Sequence, residues 1–439
     1  MVGVAVLGFL VALECAVRHY GLPGPITTLG REVIFPPKSG GLLYAGMALM
    51  LVVLTWRQRC IALGAAIGVD IAFWVVRSAA GIRVVDGHPF GIGALWVILG
   101  CAVLAVTRRT GRERVLLLQG VGLALLLMVG RKTGDAWLAI TARARPMVLD
   151  QYVATADHAL GNPSWLVGRI VTASGPIGYN VLDFVYGQLP VAAVLVALYQ
   201  LRDVAADRRF PRHHLVRTFL LIGLLGPAFY MIFPVVGPVF AYGTGAEHWQ
   251  GISLWAAPMP PSVPWAVADV WPRALPPVGA PHLMAFDRIT PRNCMPSLHT
   301  AWATAIFIHS RKGPRALRYG GTFWLVATLA ATLGFGYHYG ADLIAGVVFT
   351  LTIEGALRAY DHGWDRSGIR LVAHGSTVFV ALLMSYRYLP VEMAVHPWLA
   401  GPLLLLAMAS VVYSYVRTSA SWEPRTVLAR QPLPRPEMV

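Results

Sequence analysis

Apolar stretches recur through this chain of 439 residues too often, and at too great a length, for any single soluble core to hold them. About twelve are apolar enough to count as membrane spans, near residues 3–18, 41–55, 61–77, 91–107, 114–130, 178–201, 214–236, 296–310, 319–336, 339–357, 371–388 and 398–416. With 56% apolar and only 13% charged residues, a soluble globular fold is excluded. The expected class is an all-α, polytopic integral membrane protein.

The net charge of +15 would fit a nucleic-acid binder if it lay on one surface, but it does not. Arg57 and Arg59, then Arg108, Arg109, Arg112 and Arg114, then Arg202, Arg208, Arg209 and Arg212, then Arg311, Lys312, Arg315 and Arg318 fall in every second turn. That alternation is the positive-inside pattern, and it argues against a nucleic-acid partner. An even number of spans then places both termini in the cytoplasm of a cell-membrane protein. The start, Met1-Val2-Gly3-Val4, lacks a positive leader and reads as the first span. Of the four cysteines only Cys294 is expected on the outer side, so no intrachain disulfide framework is predicted.

Three regions follow from the polar residues. Residues 1–130 read as an accessory bundle of five spans, with Glu14 and Asp70 among its few charges. Residues 131–358 carry the polar motifs and two long outer segments, 131–177 and 237–295. The first holds Trp137, Leu138 and Ile140 in a pattern that predicts short helices lying in the interface, and the second is rich in proline. Residues 359–439 add two spans and a basic tail. No repeat of 20–50 residues is evident, nor an inverted pair of broken helices, which argues against a lipid transporter or flippase, the competing class of function.

The chemistry concentrates in two short stretches. Arg292-Asn293-Cys294-Met295-Pro296-Ser297-Leu298-His299 opens one apolar segment, and His338-Tyr339-Gly340-Ala341-Asp342 opens another, with His338 39 positions after His299. That interval suffices for one helix in and one back, so both histidines are expected at one membrane face, the extracytoplasmic one. Pro296 is expected in the first helical turn, with Asn293 as a cap. Asp342, four positions after His338, is expected to share a helix face with it and to orient its imidazole. Free N–H groups at both helix starts predict an anion site, and phosphate is the natural anion. A single histidine near an interface is most often ordinary, but two at helix starts with a carboxylate behind one are not. Zinc on His299, His338 and Asp342 is the weaker reading, since no His-x-x-x-His pair accompanies them.

Pro296-Ser297-Leu298-His299 and His338-Tyr339-Gly340-Ala341-Asp342-Leu343-Ile344-Ala345-Gly346 resemble the second and third motifs of the type-2 phosphatidic acid phosphatase superfamily. They look most like its inositol phosphorylceramide synthase-like branch, with Leu298 in place of the usual glycine. Phe233-Pro234-Val235-Val236-Gly237-Pro238 and Asp157-His158-Ala159-Leu160-Gly161-Asn162-Pro163-Ser164 are similar to the same branch, so the resemblance spans roughly residues 146–358. It implies a six-helix phosphatase/phosphotransferase-type core and a lipid phosphotransferase or lipid phosphatase without metal or other cofactor. By the same resemblance His338 is the nucleophile at phosphorus, Asp342 orients it, and His299 is the acid and then the base. The implied reaction moves a phosphate-containing headgroup from a phospholipid or polyprenyl-type lipid to an alcohol, through a phosphohistidine. The family's basic first motif is absent: Arg145-Pro146 has Leu138 where a lysine would stand, and Thr332 replaces an arginine of the third motif. Phosphate charge then falls to other groups, and Arg143, Arg145, Arg288, Arg292, Ser297 and Tyr337 are the candidates.

Overall fold

A computed structural model describes residues 2–37, 40–81, 90–242, 278–284 and 290–422. Arg288 and most of the proline-rich segment lie outside these residues. The N-terminal part comprises α1 (Val2–His19), α2 (Pro25–Glu32), α3 (Gly40–Leu51), α4 (Trp56–Ala79), α5 (Ile92–Thr107) and α6 (Gly111–Ala144). A two-residue strand β1 (Met147–Val148) leads into α7 (Asp150–Asp157), α8 (Pro163–Ala173), α9 (Gly175–Gly187), α10 (Leu189–Leu201), α11 (Val204–Asp207), α12 (Leu215–Ile232) and α13 (Pro238–Tyr242). After β2 (His282–Leu283) come α14 (Leu298–Ser310), α15 (Arg315–Gly334), α16 (Gly340–Asp361), α17 (Arg366–Tyr388), α18 (Pro390–Val395) and α19 (Pro397–Trp422).

Among the described residues, seven helices have the length and apolarity to cross a membrane, and α3 and α5 are apolar but shorter. The chain is thus an all-α, multi-pass membrane protein, with fewer full-length spans than the twelve apolar stretches predict. Proline reshapes one of the expected spans. Proline is tolerated at a helix start, and Pro163, Pro176 and Pro190 sit in the first turns of α8, α9 and α10. The single span expected over 178–201 is therefore two helices meeting at Gln188.

Residue 130 is not an end either. Helix α6 runs unbroken through it for 34 residues, about 51 Å at 1.5 Å per residue, so Trp137, Leu138 and Ile140 continue a long helix instead of forming short interfacial ones. Lys132, on that extension, is buried in an ion pair with Glu32 of α2, which removes the cost of either charge standing alone. Asp70 is likewise structural: its carboxylate accepts the N–H groups of Gly91 and Gly93 and the hydroxyl of Tyr44.

Helix α16 is the axis of the C-terminal part. Its apolar window is 78% buried, against 17% for α4 and 22% for α19. One hydrophobic core surrounds it and includes Leu371 and Phe379 of α17 and Leu404 and Val411 of α19, so the last two long helices complete the same core as the histidine-bearing ones. Phe229, Phe349 and Phe379 pack together at ring separations of 4.9–5.6 Å and join α12, α16 and α17. The N-terminal bundle has its own core around Leu43, Met47, Ile98 and Met128. A third cluster, with Leu49, Leu116, Leu201 and Val216, welds the two parts together.

Helices α14 and α16 touch closely because residue 346 has no side chain. A Cβ there would stand 2.6 Å from the carbonyl oxygen of Ser297. Gly346→Ala should therefore push the start of α14 away and destabilise the protein by ~1–3 kcal/mol. The expected result is a lower thermal midpoint of the purified protein in detergent, and an unchanged midpoint would disprove the tight contact.

Candidate active site

Three loops converge where α14 and α16 begin. The 233–238 segment is pinned by Asp150, whose two carboxylate oxygens accept the N–H groups of Val236 and Gly237 at 3.0 and 2.9 Å. Gly237 adopts φ 97°, and a Cβ on it would lie 2.3 Å from the carbonyl oxygen of Tyr337, so only glycine lets this loop meet the next one. Cys294 N–H donates to the carbonyl of Val235, and Val239 N–H to that of Gly336. The 157–164 segment closes the other side: Asp157 accepts the N–H of Ala341 at 2.9 Å, and the Ser164 hydroxyl donates to the carbonyl of His338 at 2.8 Å.

The expected caps are corrected here. Ser297 caps α14, its hydroxyl accepting the N–H of Thr300, and Pro296 precedes the helix, because an extended serine is a better cap than Asn293 four residues earlier. His338 stands before the first turn of α16, so His338 and Asp342 do not share a helix face. Asp342 instead reaches back from the first turn, accepting the N–H of Tyr339 at 2.8 Å. The N–H groups expected to hold an anion at this helix start are in part taken by Asp157 and Asp342, two carboxylates already present in the chain.

His338, Asp342 and His299 nonetheless come together. Nδ1 of His338 lies 3.1 Å from the carbonyl oxygen of Cys294 and 3.4 Å from Asp342 Oδ2. A carbonyl oxygen only accepts, so Nδ1 carries the proton and Nε2 holds the free lone pair. The Cys294 thiol donates to Asp342 Oδ2 and lies 3.3 Å from His338 Nδ1. Its burial and the Asp342 charge push its pKa up, so it stays a neutral donor. The His299 ring lies 6.3 Å from that of His338, centroid to centroid. Tyr186 of α9 stacks on His299 at 4.2 Å and places its hydroxyl 3.2 Å from Nδ1.

The remaining sequence candidates divide. Ser297 is buried as a cap, and Tyr337 packs between Tyr186 and Phe335 while its carbonyl faces the Cys294 thiol. Arg292 is fully buried and donates to the carbonyl of Met284 at 2.8 Å. Arg143 and Arg145 are exposed at the end of α6, and Arg288 lies outside the described residues. Outside the sequence candidates stood Arg131, which pairs with Asp135 on α6, as well as Tyr186, Asp150 and the Cys294 thiol. An arginine inside a long apolar helix was the available signal for Arg131.

Two groups of side chains have the makings of a metal site among the described residues: Cys294, His338 and Asp342, and, at the other end of the same helices, His213, His309 and Glu354. Hydrogen bonding speaks for other roles in both. His338 Nδ1 is a donor, as shown above. In the second group the N–H of Leu215 fixes Gln200 Oε1, so the Gln200 amide nitrogen faces His309 Nδ1 at 2.9 Å. The proton of His309 therefore sits on Nε2, directed at Glu354, which also receives Thr218, His213 and Arg358. This is a buried hydrogen-bonded network centred on Glu354.

Two family models match the chain: a domain of unknown function (DUF5933) over residues 1–140, and the PAP2 superfamily over residues 151–355. No curated protein matches the chain. No solved structure matches it. The second match covers both histidine motifs, the 233–238 loop and all of α7 but Asp150.

Burial raises the Asp150 carboxyl to about 6 and the Asp157 carboxyl to about 8, in both cases with the charge of Asp342 adding to the rise. For Asp157 the folded value exceeds the ordinary 3.8, so its contribution to stability is complete below that value and is lost as pH rises through about 8. Asp157→Asn keeps an oxygen for Ala341 N–H but cannot ionise. Its thermal midpoint should gain on the wild type as pH rises from 4 to 8, and parallel curves would refute a buried, titrating Asp157. Residues 151–355, which carry the two histidine motifs, match the PAP2 superfamily model, whose members are generally phosphatases or phosphotransferases.

Proposed function

We propose that the protein transfers a phosphate-containing headgroup from a phospholipid or polyprenyl-type lipid to an alcohol acceptor, through a phosphohistidine at the extracytoplasmic face. The observation that carries this reading is the tautomer of His338: with Nδ1 donating to the Cys294 carbonyl, Nε2 keeps the lone pair, on a ring 6.3 Å from that of His299. Ring centroids 6.3 Å apart leave room for one phosphoryl group, with each imidazole near the roughly 3 Å reach of an in-line attack.

In the proposed first half-reaction, Nε2 of His338 attacks phosphorus and the bond from phosphorus to the lipid oxygen breaks. His299, protonated when the negative phosphate lies beside it, gives its proton to that oxygen, and the Tyr186 hydroxyl accepts from its other nitrogen. In the second half-reaction, neutral His299 takes the proton of the incoming alcohol, the new P–O bond forms, and Nε2 leaves. Asp342 stabilises the positive charge on the His338 ring in both halves, and the Cys294 thiol holds Asp342 in place. Arg131 and Arg292 are proposed to meet phosphate charge in place of the family's missing basic motif. Alcohol is preferred over water as acceptor because Leu298 and the His-Tyr-Gly-Ala-Asp sequence resemble the inositol phosphorylceramide synthase-like branch. The outer side is preferred because the arginine-rich turns lie at the opposite end.

His338→Ala is expected to abolish turnover on a panel of labelled lipid phosphates and phosphodiesters and to eliminate acid-labile protein-bound phosphate that the wild type accumulates. Turnover by this variant would end the phosphohistidine reading. A new labelled lipid formed when alcohol is added marks transfer, and free phosphate alone marks hydrolysis. His299→Ala should slow the natural lipid by ~10²–10⁴-fold but an activated phosphate ester much less. Equal losses on both would remove His299 as the acid.

A further inference from the structure

The N-terminal bundle contains a cleft unrelated to the histidines. It has a volume of about 550 Å³ and lies between α4, α5 and the start of α6. Its depth is apolar: Ile61, Ala65 and Val69 along α4 face Val97, Cys101 and Leu104 along α5. From Ile61 to Val69 that wall runs about 12 Å along the helix axis. Ile61 and Leu104 are 71% and 40% exposed, so the cleft opens sideways into the hydrocarbon.

Its mouth is cationic. Arg109 pairs with Glu113 at 2.8 Å, Arg208 approaches the other oxygen of Glu113 at 3.5 Å, and Arg112 donates to the carbonyl of Arg208 at 3.2 Å. Two guanidinium groups thus share one carboxylate while the third holds the Arg208 backbone, which leaves most of the donors of all three for a further anion. Arg208 comes from the turn after α11, in the left-handed region at φ 52°, so both parts of the chain build the mouth. This end is the one away from the histidines: His299 opens α14, and His309, near its other end about 15 Å along the axis, contacts Glu354 in the network of His213, close in sequence to Arg208.

We propose that this cleft binds an anionic phospholipid, its phosphate on Arg109, Arg112 and Arg208 and one acyl chain between α4 and α5. Guanidinium groups match phosphate oxygens in pairs, and basic pockets between spans at this membrane edge are suited to anionic headgroups. Free phosphate would satisfy the arginines alone. The apolar wall, continuous with the mouth and open to the bilayer, is what selects a lipid.

Native mass spectrometry of the purified full-length protein, titrated with dioleoyl phosphatidylglycerol or dioleoyl phosphatidylcholine, tests this. Wild type should prefer the anionic lipid by about ten-fold or more. Replacing Arg109, Arg112 and Arg208 together by Gln should erase that preference. Ala65→Trp, which fills the cleft and leaves the arginines intact, should weaken binding of the anionic lipid about ten-fold or more, and Arg208→Gln alone gives a milder test if the triple variant does not fold. Phosphohydrolase or transferase turnover should persist in all three variants, so failure here is distinct from failure of the catalytic reading. Equal affinity for the two lipids overturns the proposal, as does anionic lipid binding untouched by Ala65→Trp. Inorganic phosphate displacing the lipid at equal concentration, with Ala65→Trp silent, would mark a free-phosphate site and overturn it too.

Discussion

The buried carboxylate of Asp342 is the interaction on which the candidate site depends. It accepts the N–H of Tyr339 and the thiol of Cys294, lies 3.4 Å from His338 Nδ1, and its own carbonyl receives the N–H of Ser297. One residue thereby joins the start of α14, the start of α16 and the strand of chain before each. The donors that meet this carboxylate converge on Oδ2, so the partners there are held in place by the cost of leaving it bare at such depth.

The surrounding architecture serves to keep that arrangement rigid. Asp150 and Asp157, from one short helix, clamp the 233–238 loop and the first turn of α16. Tyr339 adds a hydroxyl to Asp150, so the two acidic anchors and the site share one hydrogen-bonded frame. The apolar core beneath, from α12 through α19, contributes no chemistry but fixes the distance between the two histidines. At the far end of α14 and α16, the network of His213, His309 and Glu354 fastens the same helices a second time.

Hydropathy and the arginine turns were enough to read a helical, multi-pass membrane protein, because both effects are local and need no knowledge of packing. The pairing of two histidine motifs was legible for a similar reason: a fixed length of chain can cross and return only so far. The long α6 was not legible, since Arg131, Lys132 and Asp135 look like the end of a span. Their charges are accommodated by Asp135 and Glu32, partners that the sequence places 4 and 100 positions away. Nor were the two helices within 178–201 separable by hydropathy, although Pro190 marks the break.

By itself, then, the sequence determined the class of fold, singled out His299, His338 and Asp342 as candidates, and carried the family resemblance of residues 146–358. Tertiary structure decided which proton sits on which nitrogen. The His338 tautomer depends on the carbonyl of Cys294, 44 positions away, and no pattern in the sequence encodes where that carbonyl points. It also decided that α17 and α19 share the hydrophobic core of the histidine-bearing helices, that Tyr186 supports His299, and that two carboxylates occupy donors the sequence left open for an anion. Motifs are read along the chain, but proton positions and electrostatic balance are set by groups that only folding brings within 3–4 Å of one another.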